Sequence, residues 1–167
     1  MEPMELFLIR HAPAEAWSRD RPDAQRALTE RGIERFTRAV SGLSALGVRF
    51  EGVLTSPWRR AMETAALLEP LCPAEPLPCD ALAAPPGREL LGLLQDNPDD
   101  RRLALVGHQP WMGELIGWLA VGHPGAGSAL DLRKGSVAWL SGTPEPGAML
   151  LEALLRPRLM RRVARDS

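Results

Sequence analysis

Short, continuous apolar runs alternate with longer amphipathic stretches along most of the chain. The runs from Glu5 to Arg10, Phe50 to Leu54 and Arg102 to Val106 predict buried strands. Between the first two runs, apolar residues recur every three or four positions, which predicts a helix that begins after the N-cap Thr29 and ends near Leu46. Strands that alternate with helices in this way favour a mainly parallel sheet.

The second half of the chain continues this alternation. Ser56-Pro57 predicts the start of a second helix, because serine is a good N-cap and proline a good first helical residue. The other predicted elements are a helix from Arg88 to Gln95, a helix after Pro110, and strands from Ser136 to Leu140 and from Ala148 to Leu155.

Two segments carry many residues that interrupt regular structure. Prolines between Cys72 and Pro86 leave room only for a short strand around Ala74–Leu77. The glycine-rich segment from Gly122 to Ser128 follows a predicted helix and lacks the Gly-Lys-Ser/Thr of a phosphate-binding loop, so it is predicted to be a plain loop.

These elements predict an α/β fold, a three-layer sandwich in which helices flank a mainly parallel central sheet. The length of 167 residues suits one domain that spans residues 1–167. A basic C-terminal tail is expected from about residue 156. The tail fits either a contact with an acidic partner or a solvated terminal helix.

Charge and composition exclude several classes of partner. Twenty basic and 21 acidic residues give a formal net charge of −1, so no global positive field favours nucleic acid or an anionic membrane. No apolar stretch approaches the ~20 residues of a membrane span, and the N-terminus does not resemble a signal peptide. Cys72 and Cys79 form neither a disulfide framework nor a zinc motif, so we expect a cytoplasmic protein with reduced thiols.

Three chemically distinctive segments directly follow predicted strands. They are Arg10-His11, Ser56 to Arg60 and Gly107-His108. In parallel sheets ligands bind beyond the carboxyl ends of strands, so we expect these segments to meet in one crevice. Arg60 lies one turn inside the predicted second helix, and because side chains tilt toward the helix N-terminus, it can reach back to that crevice.

The expected crevice contains His11, His108, Arg10 and Arg60. No carboxylate lies in the three segments, so the pocket is predicted to be cationic and suited to a phosphoryl group. One imidazole can attack phosphorus while the other stabilises its equatorial oxygens. We expect no metal and no cofactor, because histidines without a carboxylate or thiolate at ligand spacing make a poor metal site.

The order and spacing of these motifs resemble the histidine phosphatase superfamily. Leu8 to Ala12 (LIRHA), Ser56 to Ala65 (SPWRRAMETA) and Val106 to Pro110 (VGHQP) carry the resemblance, and the small SixA-type phosphohistidine phosphatases fit best. The resemblance covers nearly the whole chain, since Ala27 to Gly32 and Lys134 to Ala138 also match segments of that subgroup.

The resemblance implies a phosphoglycerate-mutase-like fold and a role for each pocket residue. By this resemblance His11 is the phosphorylated nucleophile, and His108 is the second catalytic histidine. Arg10 and Arg60 are then the ligands of the substrate phosphate. The implied activity is hydrolysis of a phosphoryl group through a phosphohistidine intermediate.

Two departures from the family pattern bear on the substrate. The usual Arg-His-Gly is Arg-His-Ala here, so position 12 must tolerate a Cβ. Larger members carry a catalytic acid in an insertion between the second and third motifs, where this chain offers Asp80 and Glu89. An alcohol leaving group gains ~10²–10⁴ in rate from a proton donor, whereas a phosphoramidate needs less help.

Three functions follow from this reasoning. The first is a metal-independent phosphatase that removes phosphate from phosphohistidine on a protein, with a histidine phosphocarrier domain as a suitable partner. The second is a phosphatase of small phosphomonoesters that uses Asp80 as its acid. The third is a non-catalytic module that binds phosphorylated partners.

Overall fold

A six-stranded sheet forms the centre of the computed structural model, which describes residues 3–96 and 101–166. Its strands are β1 (Met4–Arg10), β2 (Gly52–Thr55), β3 (Leu77–Pro78), β4 (Arg102–Gly107), β5 (Val137–Gly142) and β6 (Met149–Leu155). The spatial order is β3-β2-β4-β1-β5-β6. Strands β3, β2, β4 and β1 are parallel, and β5 and β6 pair antiparallel at one side.

Helices cover both faces of this sheet. They are α1 (Glu30–Ala45), α2 (Arg59–Ala66), α3 (Arg88–Gln95), α4 (Trp111–Val121) and α5 (Pro157–Asp166). Buried residues of α1, α2 and α5 pack in one core cluster, and those of α3 and α4 pack in the other. The predicted three-layer α/β sandwich with a mainly parallel sheet is therefore confirmed.

The short strand β1 contributes side chains to both core clusters. Phe7 and Ile9 belong to the cluster under α1, α2 and α5, whereas Leu6 and Leu8 belong to the cluster under α3 and α4. Successive side chains of a strand point to opposite faces of a sheet. A strand covered on both sides must therefore be apolar at every position, which is why this run lacks an alternating polar pattern.

The second helix begins later in the chain than the Ser56-Pro57 pair predicts. Ser56 does not cap the helix, because its backbone N–H donates to Val106 O at 2.9 Å and continues the pairing of β2 with β4. Its side chain accepts a hydrogen bond from the Trp58 N–H, and α2 starts only at Arg59. The preceding strand is likewise displaced, to Gly52–Thr55 instead of Phe50 to Leu54.

Two segments predicted from their glycines and prolines also differ in detail. The short strand in the proline-rich segment is Leu77–Pro78, at the far edge of the sheet, instead of Ala74–Leu77. The glycine-rich segment is not a plain loop, because Pro124–Ala129 forms a 3₁₀ helix packed against α4. A Cβ at Gly117 would lie 2.3 Å from Gly127 N, so glycine is required for this close approach.

The basic tail is a helix with one packed side. Met160 of α5 is fully buried against α1, where a Cβ at Gly42 would lie only 1.9 Å from Met160 O. The helix α5 is therefore packed against α1 at Met160, while its residues Arg158, Arg162 and Arg165 remain exposed to solvent. In the described part of the chain, no helix is long and apolar enough to span a membrane.

Candidate active site

The three chemically distinctive segments meet at the carboxyl ends of neighbouring strands. His11 follows β1, His108 follows β4 and Ser56 follows β2, and these strands are adjacent in the order β2-β4-β1. The ring centroids of His11 and His108 are 5.4 Å apart. Both side chains are almost completely buried, at 4% and 3% exposure. The topology therefore places two imidazoles in one enclosed pocket.

Hydrogen bonds orient the ring of His11 and select its tautomer. The backbone carbonyl of Ala12 lies 2.7 Å from Nδ1, and the Nε–H of Arg60 donates to Nε2 at 3.2 Å. A carbonyl can only accept, so Nδ1 carries the proton and Nε2 keeps its lone pair. The unprotonated nitrogen of His11 thus faces the guanidinium group of Arg60.

The environment keeps both histidines neutral. Burial is the main cause that lowers the pKa of His11 to about 3; the Ala12 carbonyl opposes this effect, and Arg60 adds to it. Burial followed by the charge of Arg60 lowers the pKa of His108 to about 4. Near pH 7 the Nε2 lone pair of His11 is therefore available for nucleophilic attack.

His108 is held between a hydroxyl group and two indoles. Its Nε2 lies 2.7 Å from Ser56 Oγ. The centroid of its ring lies 4.6 Å from the ring centroid of Trp58 and 5.9 Å from that of Trp111. A hydroxyl group has one donor and two acceptor positions, so Ser56 Oγ can donate to His108 Nε2 while it accepts the Trp58 N–H. The Nδ1 atom of His108 is buried without a partner among the described residues.

Arg60 connects the pocket to the loop after β1. Its side chain is only 4% exposed, and its Nη1 and Nη2 donate to the carbonyl oxygen and carboxylate of Asp23 at 2.8 and 3.0 Å. The guanidinium carbon also lies 4.7 Å from the centre of the Trp58 ring. Arg59, by contrast, is exposed and pairs with Glu63 on the same helix. The two adjacent arginines therefore have different environments.

Arg10 ends β1 beside the pocket. Its Nη1 donates to Leu132 O at 2.9 Å, while its Nε is buried without a partner in the described part of the chain. Burial, and to a smaller extent the charge of Arg60, lower the pKa of Arg10, and the nearby Asp131 opposes them. A half-buried guanidinium with an unused donor can bind an oxyanion.

The pocket also contains a carboxylate from outside the three segments. Asp23 lies in the loop between β1 and α1, and its carboxylate bonds both Arg60 and Arg26. Burial alone would raise the pKa of Asp23, but the charges and hydrogen bonds of these two arginines outweigh it and lower the pKa. Only a weak signal in the sequence points to this residue, namely that a buried arginine needs an acidic or carbonyl partner.

The two carboxylates considered from the sequence lie elsewhere. Asp80 begins a 3₁₀ helix after β3, Glu89 lies in α3, and both are exposed. No hydrogen bond in the described residues joins either one to His11 or His108. Nor do the described residues contain a group of three or more His, Cys, Asp or Glu side chains that could hold a metal ion.

Similarity to known proteins agrees with this arrangement. The model of the histidine phosphatase superfamily (branch 1) matches residues 6–83. An uncharacterized protein of Picosynechococcus sp. is 37% identical over 142 residues, which cover 82% of this chain and 84% of that protein.

Two solved structures share the fold. The protein histidine phosphatase SixA complexed with tungstate has a TM-score of 0.78 and 23% identity, covering 93% of this chain and 98% of that one. The alpha-ribazole phosphatase from Shigella flexneri has a TM-score of 0.74 and 20% identity, covering 92% and 97% of the two chains. These structures show the fold, and the family model together with the 37% identical relative shows that the chain belongs to the histidine phosphatase superfamily, whose members are phosphatases.

Proposed function

We propose that this protein hydrolyses phosphohistidine on a partner protein, through a phosphoryl group carried by His11. The observation that supports this most strongly is the state of His11. Its Nε2 has a lone pair, its Nδ1 is bonded to the Ala12 carbonyl, and its pKa is held at about 3. A permanently neutral, oriented imidazole suits a nucleophile better than a simple anion ligand.

The proposed reaction has two displacement steps at phosphorus. In the first, His11 Nε2 forms a bond to phosphorus while the bond from phosphorus to the substrate nitrogen breaks, and the electron pair leaves with that nitrogen. In the second, water attacks the phosphoryl group on His11, which releases inorganic phosphate and a proton and restores the imidazole. In the free protein Arg60 Nε–H occupies Nε2, so this donor must transfer to the phosphoryl oxygens as substrate binds.

Fixed positive charge replaces a metal ion in this proposal. Arg60 is anchored by Asp23, and Arg10 is anchored by the Leu132 carbonyl, so both guanidinium groups are oriented before substrate binds. The unpartnered Nδ1 of His108 supplies a further donor, because Ser56 can donate to Nε2 and leave the proton on Nδ1. Preorganised donors of this kind stabilise charge that develops in a transition state.

The carboxylate in the pocket supports phosphohistidine as the substrate. The lowered pKa of Asp23 keeps this group ionised near pH 7, so it positions Arg60 and is a poor proton donor. An ester needs an acid for its alkoxide leaving group, whereas the substrate imidazole can leave after protonation by solvent. A phosphorylated histidine phosphocarrier domain is a partner with this chemistry.

Hydrolysis of a small phosphomonoester is the second candidate function. The same fold in an alpha-ribazole phosphatase favours it, and Asp80 follows β3 at the same edge of the sheet as the pocket. Asp80 is exposed, so in this case it would have to move toward the substrate as the substrate binds.

A comparison of leaving groups separates the two functions. The purified protein should remove phosphate from a phosphohistidine-bearing carrier domain with a kcat/KM at least about a hundredfold above that for an alkyl phosphate. Asp80→Asn should leave both values within about twofold, with Glu89→Gln as the control. An alkyl phosphatase activity that exceeds the activity on the carrier and is lost in Asp80→Asn would establish the second function. EDTA should change neither rate if no metal takes part.

A further inference from the structure

A second concentration of positive charge lies outside the pocket. A cleft of about 470 Å³ lies between α1, α5 and the loop before β5. Its cationic lining residues are Arg35, Arg133, Lys134, Arg156, Arg158 and Arg161. No acidic residue lines it among the described residues.

This cleft continues along the two helices. A neighbouring cleft of about 420 Å³ shares Arg161 and adds Arg38 and Arg165. We call the two clefts together the α1–α5 groove. Their shared residue makes the groove an elongated path along the helices instead of one compact cavity.

Most of the cations in the groove have no acidic partner among the described residues. Arg133 pairs with the exposed Asp131, and Arg38 pairs with Glu34 on α1. In the part of the chain that the structure describes, salt bridges are absent from Arg35, Arg156, Arg158, Arg161 and Arg165. Burial, and then the positive charge of neighbouring arginines, lower the pKa of Arg161.

This cluster of cations lies on a chain whose formal net charge is −1. Like charges that share a surface repel each other and destabilise the folded state. The packing of α5 on α1, fixed by Met160 and Gly42, holds these arginines together despite that repulsion. An external anion would neutralise the groove and remove the repulsion.

The inner end of the groove adjoins the candidate active site. Pro13, which lines the groove, is two residues from His11. Gly135, also in the lining, donates its N–H to the carbonyl oxygens of Arg10 and His11 at 3.0 and 3.1 Å. A chain that lies in the groove therefore ends beside the pocket.

We propose that the α1–α5 groove binds an acidic segment of the phosphoprotein whose phosphoryl group enters the pocket. The inference rests on the proposed function for its choice of partner. An extended path of cations matches the spaced carboxylates of a peptide segment better than one compact polyanion. The binding energy is electrostatic, so it should raise the association rate and weaken as salt screens the charges.

Binding of an unphosphorylated probe tests the groove independently of catalysis. The probe is a short, fluorescently labelled peptide of alternating glutamate and serine, followed by anisotropy at about 0.1 M salt, where charges more than ~10 Å apart are largely screened. Arg156→Glu combined with Arg158→Glu should weaken its binding by at least about tenfold, because two exposed cations of the groove are reversed. Arg161→Gln should weaken it by less.

A matched control separates local charge from net charge. Arg49→Glu combined with Arg88→Glu changes the net charge equally, and both residues are exposed, lie outside α1 and α5 and do not line the groove. This variant should bind the probe within about twofold of the wild type. If both double variants bound the peptide equally weakly, the proposal would be overturned. It would also be overturned if the wild type bound a single-stranded oligonucleotide or phosphatidylglycerol vesicles more tightly than the peptide.

Kinetics then connect the groove with the substrate. For a phosphohistidine carrier with an acidic flank, the groove variant should raise KM about tenfold with little change in kcat. Its hydrolysis of a small aryl phosphate should stay within about twofold. If the wild type binds the acidic peptide but does not dephosphorylate the carrier, the proposed function fails while the groove remains an acidic-peptide site. If the groove variant lost hydrolysis of the carrier and of the aryl phosphate to the same extent, the proposed docking of the carrier in the groove would be contradicted.

Discussion

The pocket and the α1–α5 groove use the same side chain in two different ways. In the pocket, Arg60 is buried and bonded to Asp23, and Arg10 is bonded to the Leu132 carbonyl. In the groove, Arg156 and Arg158 are exposed and lack acidic partners in the described part of the chain. The first arrangement fixes the direction of each donor, whereas the second leaves the side chains free to move.

This difference indicates what each region can contribute. Fixed donors lose little freedom when a transition state forms, so they can stabilise it strongly. Mobile surface cations attract an anion over a longer distance, but salt screens them and each contact contributes little. We therefore expect changes in the pocket to alter kcat strongly and changes in the groove to alter KM for a large acidic partner.

The largest expected effect is at Arg60. Arg60→Ala should reduce kcat/KM for any phosphoryl substrate by about 10²–10³, because one fixed donor is lost from a water-poor pocket. Arg59→Ala is the matched control, since its side chain is 57% exposed and pairs with Glu63. Steady-state kinetics should be measured for both variants. For Arg59→Ala, kcat/KM should change by less than about twofold. Similar losses at the two positions would contradict the distinction drawn between them.

A glycine substitution should separate the groove from the pocket. Gly42→Ala places a Cβ 1.9 Å from Met160 O, so α5 must move and the free energy of unfolding should fall by about 1–3 kcal/mol. Gly92→Ala, in the middle of α3 with no atom within 4 Å of the new Cβ, should raise it by about 0.5–1 kcal/mol.

Urea unfolding measures both changes, and the acidic probe reports on the groove. Gly42→Ala should lose affinity for the peptide while hydrolysis of a small aryl phosphate continues. If instead aryl phosphate hydrolysis falls as much as peptide affinity, the two regions are not independent.

The pH dependence of stability should come from the pocket. His11 has a pKa of about 3 in the folded protein, below the ordinary histidine value of 6.5, so between these values the unfolded state binds more protons. The free energy of unfolding should therefore fall as pH drops below 6.5, by about 2 kcal/mol at pH 5 for one such histidine. His11→Gln should lose less stability between pH 7.5 and pH 5 than the wild type, whereas the exposed His123→Gln should match it.

The sequence predicted the pocket better than the groove because strand ends are local signals. The motifs of His11, Ser56 and His108 each follow an apolar run, and parallel strands bring their carboxyl ends together. Asp23 could not be placed, since it lies in a long polar loop whose path depends on its partner Arg60. Tertiary contact also decides the start of α2, because Ser56 extends the pairing of β2 with β4 through Val106 and the helix begins only at Arg59.

The groove depends on a contact between two helices that are far apart in the sequence, α1 and α5. The basic residues of α5 were evident from composition, but only the packing of Met160 against Gly42 places them opposite Arg35 and Arg38. The amphipathic pattern of a short terminal helix does not show which surface it covers. A charge cluster formed by distant segments therefore cannot be predicted from the sequence pattern alone, because it depends on how the helices pack.

Detection of the phosphorylated enzyme tests the central proposal most directly. The protein is mixed with a phosphohistidine donor, quenched at alkaline pH within milliseconds to seconds, digested and analysed by mass spectrometry. We expect an acid-labile phosphoryl group on the peptide that contains His11, absent in His11→Ala and still present in Asp80→Asn. Phosphate release without any phosphoryl group on His11, or turnover that survives in His11→Ala, would contradict it.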